Sequence, residues 1–434
     1  MSSHFRTLAC ALLLTGCASV PRDAGVSGVQ QAVSERVPQT AEWRAGSELT
    51  ADSAVAFAMT NNPRLQMTLA ELGIARADLI EASTIRNPLF EAEIRFPGDP
   101  YRPYELRIAQ SLVELIQLPR RRALGRAAFD AATLRVTAEV VRFAADVRAR
   151  YYDVLAATQH AAMSRAILDA ATAAAELAQR QHGAGNITDL ELEHEQARHD
   201  EAKLDYARAE QRLLLAREEL VRAMGVRDAS MEWRVPASFP ELPPAELDQP
   251  QLEQLASARR LDLEIARREV EIAQRHVPLA RLAALGEVEG DFHYEREPDG
   301  ARTFGPGIVV PIPIFNNGRA ARSRAEAQYL RAQHALNALL AESSSQLRSA
   351  RATVAEARAR VESYRDVILP RRQRIVELTK LEHNAMITGT FQLLQAAQSE
   401  AVARRELIDA ERDYWTARND LDRALNGVPQ MGGH

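Results

Sequence analysis

The chain of 434 residues carries 54 Lys+Arg against 59 Asp+Glu, a net charge of −5. This is enough length for a large core but lacks the basic balance of a general nucleic-acid binder. Both cysteines, Cys10 and Cys17, lie in the first 17 residues, so no disulfide and no Cys-ligated metal centre belongs to the folded body. After the N-terminus no run of 18 apolar residues occurs; transmembrane helices are excluded, but a transmembrane barrel is not, because its strands alternate and escape hydropathy averages.

The N-terminus reads as an export signal: Arg6 supplies charge and Leu8 to Leu14 is apolar. Leu14-Thr15-Gly16-Cys17 follows and resembles the lipobox of bacterial lipoproteins, which implies signal-peptide removal over 1–16 and acylation of Cys17. Ala18, rather than an inner-membrane retention Asp, implies delivery to the outer membrane, where several acyl chains give stable anchoring. Residues 17–49 read as anchor and tether, polar and without period.

From residue 50 the chain reads as two copies of one unit, 50–225 and 251–428, joined by a Pro-rich linker at 226–250 and followed by a short tail, 429–434. Thr50-Ala51-Asp52 caps a helix reaching Thr60; Asn61-Asn62-Pro63 breaks and restarts it, and it continues to about Ser83. The second copy's matching helix runs from about Pro250 to Leu285. An offset of 198 aligns Leu65, Glu71, Ile74 and Ala75 with Leu263, Glu269, Ile272 and Ala273.

A hairpin follows in each copy, with strands at about 88–113 and 286–315. Phe90, Ala92, Ile94 and Phe96 alternate with Glu91, Glu93 and Arg95, and Leu106, Ile108 and Leu112 continue at period two after a Pro-Gly-Asp-Pro turn. Val288, Gly290, Phe292 and Tyr294 alternate with Glu287, Glu289, Asp291 and His293; a turn at Glu297-Pro298-Asp299-Gly300 leads to Ile308, Val310, Ile312 and Ile314. Each copy then has a very long helix, about Arg120–His182 and Arg319–Asn384, roughly 95–100 Å at 1.5 Å per residue. Pro370 is expected to kink the second. Tight breaks at His182-Gly183-Ala184-Gly185-Asn186 and Met386-Ile387-Thr388-Gly389 precede returning helices. There an offset of 201 aligns Ala216-Arg217, Leu220 and Arg222-Ala223 with Ala417-Arg418, Leu421 and Arg423-Ala424.

Four short strands cannot close a barrel, and an isolated hairpin is marginal in water. Three chains supply twelve, a number that closes around an aqueous lumen. On that reading Phe90, Ile94, Phe96, Leu106, Ile108, Phe292, Tyr294, Ile308, Val310, Ile312 and Ile314 face lipid. Glu91, Glu93, Arg95, Glu105, Arg107, Glu287, Glu289, Asp291 and Glu295 face water. The fold class expected is therefore mostly α with a small β part: a duplicated unit of long helices plus β-hairpin, trimerising into a 12-stranded transmembrane β-barrel continued by an α-helical barrel.

From about residue 50 to 428 the sequence resembles the TolC outer-membrane efflux family. Phe304-Gly305-Pro306-Gly307-Ile308-Val309-Val310-Pro311-Ile312-Pro313-Ile314-Phe315-Asn316-Asn317-Gly318-Arg319 is similar to the family's last strand and its turn into the long helix, so Gly305, Pro306, Pro311, Pro313, Phe315 and Gly318 are expected to shape that bend. Gly185-Asn186-Ile187-Thr188-Asp189-Leu190 resembles the first hairpin tip. Thr388-Gly389-Thr390-Phe391-Gln392-Leu393-Leu394-Gln395 resembles the second, in the form of lipid-anchored CusC- or CzcC-like members. The resemblance implies a homotrimeric, passive duct without cofactor, set in outer-membrane lipid with its helices in the periplasm. It implies that Gly185, Asn186, Thr188, Asp189, Leu190, Thr388, Gly389, Thr390 and Phe391 dock a periplasmic adaptor of an inner-membrane pump, the cargo being small molecules or metal ions. Gln392 and Gln395 stand where members carry an acidic pair that narrows the periplasmic mouth, and Thr388 stands at a tip arginine; Asp189 matches the family's acid on the first tip. Gating is therefore expected to fall to Asp189, Glu191, Gln392 and Gln395.

Other signals weigh less. His194 and His199 are five apart, not the four that two ligands on one helical face need; with His182 and His383 they read as solvated. Arg120-Arg121-Arg122 suits either phosphate contact at the headgroup level or a solvated helix start. A lipid-anchored periplasmic coiled-coil scaffold or adaptor subunit shares the long helices but has no need of two lipid-length hairpins. No arrangement of an enzyme site is present.

Overall fold

The computed structural model describes residues 23, 25–37, 43, 46–96, 100–226, 232–282 and 286–428. Cys17 and the whole export signal lie outside these residues. A short helix α1 (Val26–Ser34) is followed by α2 (Ala51–Asn61) and α3 (Pro63–Ser83). Strands β1 (Leu89–Ile94) and β2 (Tyr104–Ser111) lead into α4 (Leu112–Gly183), which returns as α5 (Asp189–Met224). The second copy repeats the order with α6 (Gln249–Arg259), α7 (Leu261–Leu282), β3 (Glu289–Arg296), β4 (Arg302–Val309) and α8 (Arg319–Glu362). A π-helical turn (Ser363–Ile368), α9 (Leu369–Asn384) and α10 (Thr390–Leu425) complete it.

The chain divides into two compact units. One gathers residues up to 32, 67–137 and 261–342; the other gathers 33–66, 138–260 and 343 onward. The first holds the four strands, paired in the order β1-β2-β3-β4, antiparallel throughout. The two hairpins of the sequence are thus one meander. Beside it, α3 and α4 approach closely: a Cβ at Gly125 would meet the Ala82 Cβ at 2.8 Å. Arg121 and Arg122 donate to the Glu81 and Ser83 carbonyls and so finish α3.

The second unit is helical, with a core in which Leu252, Leu347, Val354, Val361, Tyr414 and Leu421 are buried. In the N-cap of α2, Thr50 and Ser53 bond reciprocally, and α2 ends at the buried Asn62. The Asn62 side-chain amide donates to the Ala223 carbonyl at 2.6 Å, closing α5.

Several expectations change. The expected single helix from Pro250 to Leu285 breaks at Arg260, the counterpart of Asn62 at the offset of 198, where the backbone turns extended (ψ 107). Arginine is no helix breaker; the break is held by tertiary bonds, the buried guanidinium donating to the Ser343 carbonyl and the Gln346 side chain. Leu112, expected in a strand, opens α4, which starts eight residues before Arg120 and carries Pro119 in its interior. Strand β4 ends at Val309, so Val310, Ile312 and Ile314 belong to no strand: Pro311 and Pro313 cannot donate to a ladder. Ahead of Pro370 the helix widens into the π turn, which relieves the ring's clash with the preceding turn.

The segments expected to be loose are packed. In the tether, α1 is capped by Asp23, whose carboxylate accepts from Ser27 and Gly25 and is held down at about 2 by those bonds. Val29, Val33 and Val37 are buried along one face. The linker pairs with the chain before α2, Leu49 donating to the Arg234 carbonyl at 2.7 Å. Arg217 lies over the buried Trp233 ring at 4.1 Å. Polar composition hid the Val29–Val33–Val37 stripe, which is too short to register as a period.

Candidate channel wall and helix-hairpin tips

The register sorts the meander into two unlike faces. Opposed residues of an antiparallel ladder share a face. The rows Phe90–Ile108–Phe292–Pro306 and Ala92–Leu106–Tyr294–Phe304 therefore lie together with Ile94 and Ile308. Phe90 (63%), Ile94 (61%), Phe304 (72%) and Ile308 (65%) are exposed, a degree that leaves the apolar face uncovered within one chain. Phe304, read in the sequence only as part of a motif, belongs to this face.

The other face is ionic. Arg107 meets Glu91 at 3.2 Å, Asp291 at 3.4 Å and Glu289 at 3.7 Å; Arg95 meets Glu93 at 3.0 Å, Glu105 at 3.1 Å and Glu295 at 3.4 Å. Each arginine thus serves three carboxylates, leaving the face with an excess of four negative charges among these eight residues. Gly307 leaves room for Asp291: a Cβ there would stand 2.6 Å from its carboxylate. Gly305 lies on the same face opposite His293, and Pro306 opposite Phe292 on the apolar one. Beyond the strand, Pro311 packs against Gly286, and Phe315 is fully exposed. Asn316 and Asn317 accept from the backbone N–H groups of Gly318 and Arg319 and so start α8.

The first tip is tightly built. Gly185 takes the left-handed conformation (φ 75), and Thr188 caps α5, accepting from Glu191 N–H while Glu191 accepts from Thr188 N–H. That bond and the hydroxyl hold the Glu191 carboxyl below its ordinary range. The Asp189 carboxylate lies 2.6 Å from His182 Nε2, so the two ends of the turn are tied, and Leu190 stands exposed. Asn186 N–H donates to the Gln181 carbonyl.

At the second tip His383 Nδ1 donates to the Thr388 carbonyl at 3.2 Å. The left-handed residue is Met386 (φ 58), the counterpart of Gly185 at the offset of 201. Gly389 is the N-cap of α10 with ordinary φ, the counterpart of Thr188 at the same offset. Met386 and Ile387 are exposed. Thr390 and Phe391 open α10, and Gln392 and Gln395 follow, both exposed and three apart on one helical face. His199 lies 3.3 Å from the adjacent Asp200 carboxylate, and among the described residues no group of three potential metal ligands is found.

The family model described as outer membrane efflux protein matches residues 57–226 and 252–427, and the chain belongs to that family. It is an outer-membrane channel of a tripartite efflux system, a class of passive conduits in the bacterial outer membrane. No curated protein matches the sequence. Among solved structures, CusC superposes with a TM-score of 0.71 at 18% identity, covering 90% of this chain and 95% of its own. A membrane protein from Pseudomonas aeruginosa gives 0.71 at 21% identity, with 90% and 99% covered. The open-state MtrE outer membrane channel of Neisseria gonorrhoeae gives 0.68 at 16%, with 91% and 98% covered. At these identities the likeness is one of fold.

Proposed function

We propose that three copies of this chain close their meanders into one twelve-stranded barrel, apolar face to lipid and ionic face to the lumen, with the long helices forming a periplasmic tube beneath. One observation carries the reading: an open four-stranded sheet, unpaired at both β1 and β4, exposes large apolar side chains on one face and an arginine–carboxylate lattice on the other. Alone in water such a sheet has two aggregation-prone edges; closure with sister chains removes them. The helices point the same way, since Leu177, Leu204, Leu214, Leu215, Leu330 and Val402 are exposed in the single chain and need neighbours.

The hairpin tips dock a periplasmic adaptor, through Leu190, Thr188 and Asp189 on the first and Thr388 to Phe391 on the second. Cys17 carries the lipid anchor. Gating rests on the Asp189–His182 and Glu191–Thr188 contacts and on the uncharged Gln392 and Gln395. Four excess carboxylates per chain on the lumen face favour cations over anions.

Purified protein is expected to run as a heat-modifiable trimer, to conduct in planar bilayers and to show a cation-selective reversal potential. Well-folded protein that stays monomeric without detergent and conducts nothing would refute the duct; an anion-selective channel would refute only the lumen assignment.

A further inference from the structure

At the end of the sheet away from the helices, the apolar face changes character. The register puts Tyr104, Arg296 and Arg302 in one cross-strand row on the face that carries Leu106, Phe292 and Phe304. One row inward, Tyr294 stacks on Tyr104 with ring centroids 5.9 Å apart. The two end loops are joined: Tyr101 N–H donates to the Pro298 carbonyl, and its ring covers Gly300, where a Cβ would come within 2.9 Å. Arg296 lies over the outer face of that ring at 4.4 Å, and Arg102 lies over Phe96 at 5.2 Å. From the sheet's middle outward one face therefore reads apolar, then tyrosine, then arginine.

The charge pairing separates these arginines from those on the lumen face. Arg95 and Arg107 each have three carboxylates. Among the described residues Arg102, Arg296 and Arg302 have none, and Arg296 Nε is buried without a hydrogen-bond partner. Guanidinium groups on a lipid-exposed face are tolerated at the interface rather than the bilayer midplane. With Arg296 and Arg102 lying over rings, and without a carboxylate partner among the described residues, they offer forked donors of the geometry that phosphate accepts.

We propose that Arg102, Arg296 and Arg302, with Arg296 stacked on Tyr101 and Arg102 on Phe96, form a rim that binds phosphate-bearing lipid headgroups of the outer leaflet. The proposal rests on the reading that the apolar face meets lipid and the helices lie in the periplasm. Bound headgroups would fix the barrel's depth and rotation in the membrane, which non-directional apolar contacts alone do not specify.

The test uses full-length trimer in mixed micelles and titrates diphosphoryl lipid A against the same lipid with its phosphates removed. The intact protein is expected to prefer the phosphorylated lipid at least about tenfold. The double variant R296Q/R302Q should lose about 25-fold in affinity, near fivefold per charge. R296K/R302K keeps both charges but loses the forked donors and the ring stack, so its affinity should fall between those of the parent and R296Q/R302Q; R331Q, which removes one charge on α8 as R302Q does on the rim, should bind as the parent does. Equal binding of both lipids, or an unchanged R296Q/R302Q that still forms trimers, would overturn the rim. So would inorganic phosphate displacing the lipid at equal concentration, since the site would then be one for free anions. If R296Q/R302Q fails to trimerise, R302Q alone, which leaves the Arg296–Tyr101 stack in place, must still lose about fivefold, or the rim is wrong. A trimer that conducts but ignores the headgroup sinks this proposal alone; absence of trimer and conductance in the parent sinks the duct reading instead.

Discussion

Replacing Gly225 by alanine should cost far more than the same change at Gly185, although both residues sit in the left-handed region at φ 73 and 75. The conformational penalty is common to the two, about 1 kcal/mol for placing a Cβ there. The surroundings differ. Around Gly185 nothing lies within 4 Å of the new methyl, whereas at Gly225 it would stand 2.6 Å from the Asn62 Cα and 2.8 Å from the Asn61 carbonyl oxygen. Those are backbone atoms at the break between α2 and α3, so they cannot rotate away, and parting them also strains the 2.6 Å bond from Asn62 to the Ala223 carbonyl. Overpacking of this kind adds about 1–3 kcal/mol, giving about 2–4 kcal/mol at Gly225 against about 1 at Gly185. Met386, a non-glycine at the place equivalent to Gly185, shows that the tip bears the smaller cost. The assay is thermal unfolding followed by helical circular dichroism at matched trimer concentration. Equal shifts for the two variants would refute the reasoning, because the clash at Asn62 would then contribute nothing.

Glu246 gathers the linker onto the second unit: it accepts from Arg418 at 2.9 Å and Tyr414 at 2.5 Å, and Arg358, 3.4 Å from it, also donates to the Pro243 carbonyl. Glu246→Ala takes the carboxylate from Arg418 and from the buried Tyr414 phenol, whereas Arg358 keeps Glu362 at 2.8 Å; with Arg418 about a third exposed, the loss should be about 2 kcal/mol by denaturant titration, and a change under about 0.5 kcal/mol would contradict it. Burial and the Glu246 bond push the Tyr414 hydroxyl up to about 12. A raised folded-state value contributes stability below the free phenol's range near 10 and loses it as pH climbs towards 12, so Tyr414→Phe should flatten the alkaline limb of the stability curve. Burial also raises the Glu411 carboxyl, with Arg365 opposing. The stability tied to its protonated form is present in acid and lost as pH rises through the folded value; hence Glu411→Gln should stabilise at pH 7 and show no gain near pH 3. A gain equal at both pH values would point to packing instead. Leu190→Asp, at an exposed tip position, should leave unfolding within about 0.5 kcal/mol and trimers intact while abolishing export in cells; undiminished export would remove Leu190 from the docking surface.

Much of the architecture is local, and so it was legible in residue order. The switch from helical period to period two marked the strands, the offsets of 198 and 201 exposed the duplication, and Thr50 announced the helix start at Ala51. Alternation also sorted Phe90, Leu106 and Phe292 from Glu91, Arg107 and Asp291, because the pleat sends neighbours to opposite faces whatever surrounds them. What the tertiary structure decided depended on partners distant in the chain. The break at Arg260 exists because Ser343 and Gln346 receive its guanidinium; the end of β4 at Val309 rather than Ile314 reflects the ladder that Pro311 cannot join. That Met386 takes the left-handed place at the second tip depends on how the turn closes on His383. Composition likewise concealed the docked Val29–Val33–Val37 stripe and the Glu246 clamp on the linker. Periodicity records which way a side chain points, but only packing supplies what it meets, and the free energy of a buried charge or a strained turn is set by that encounter.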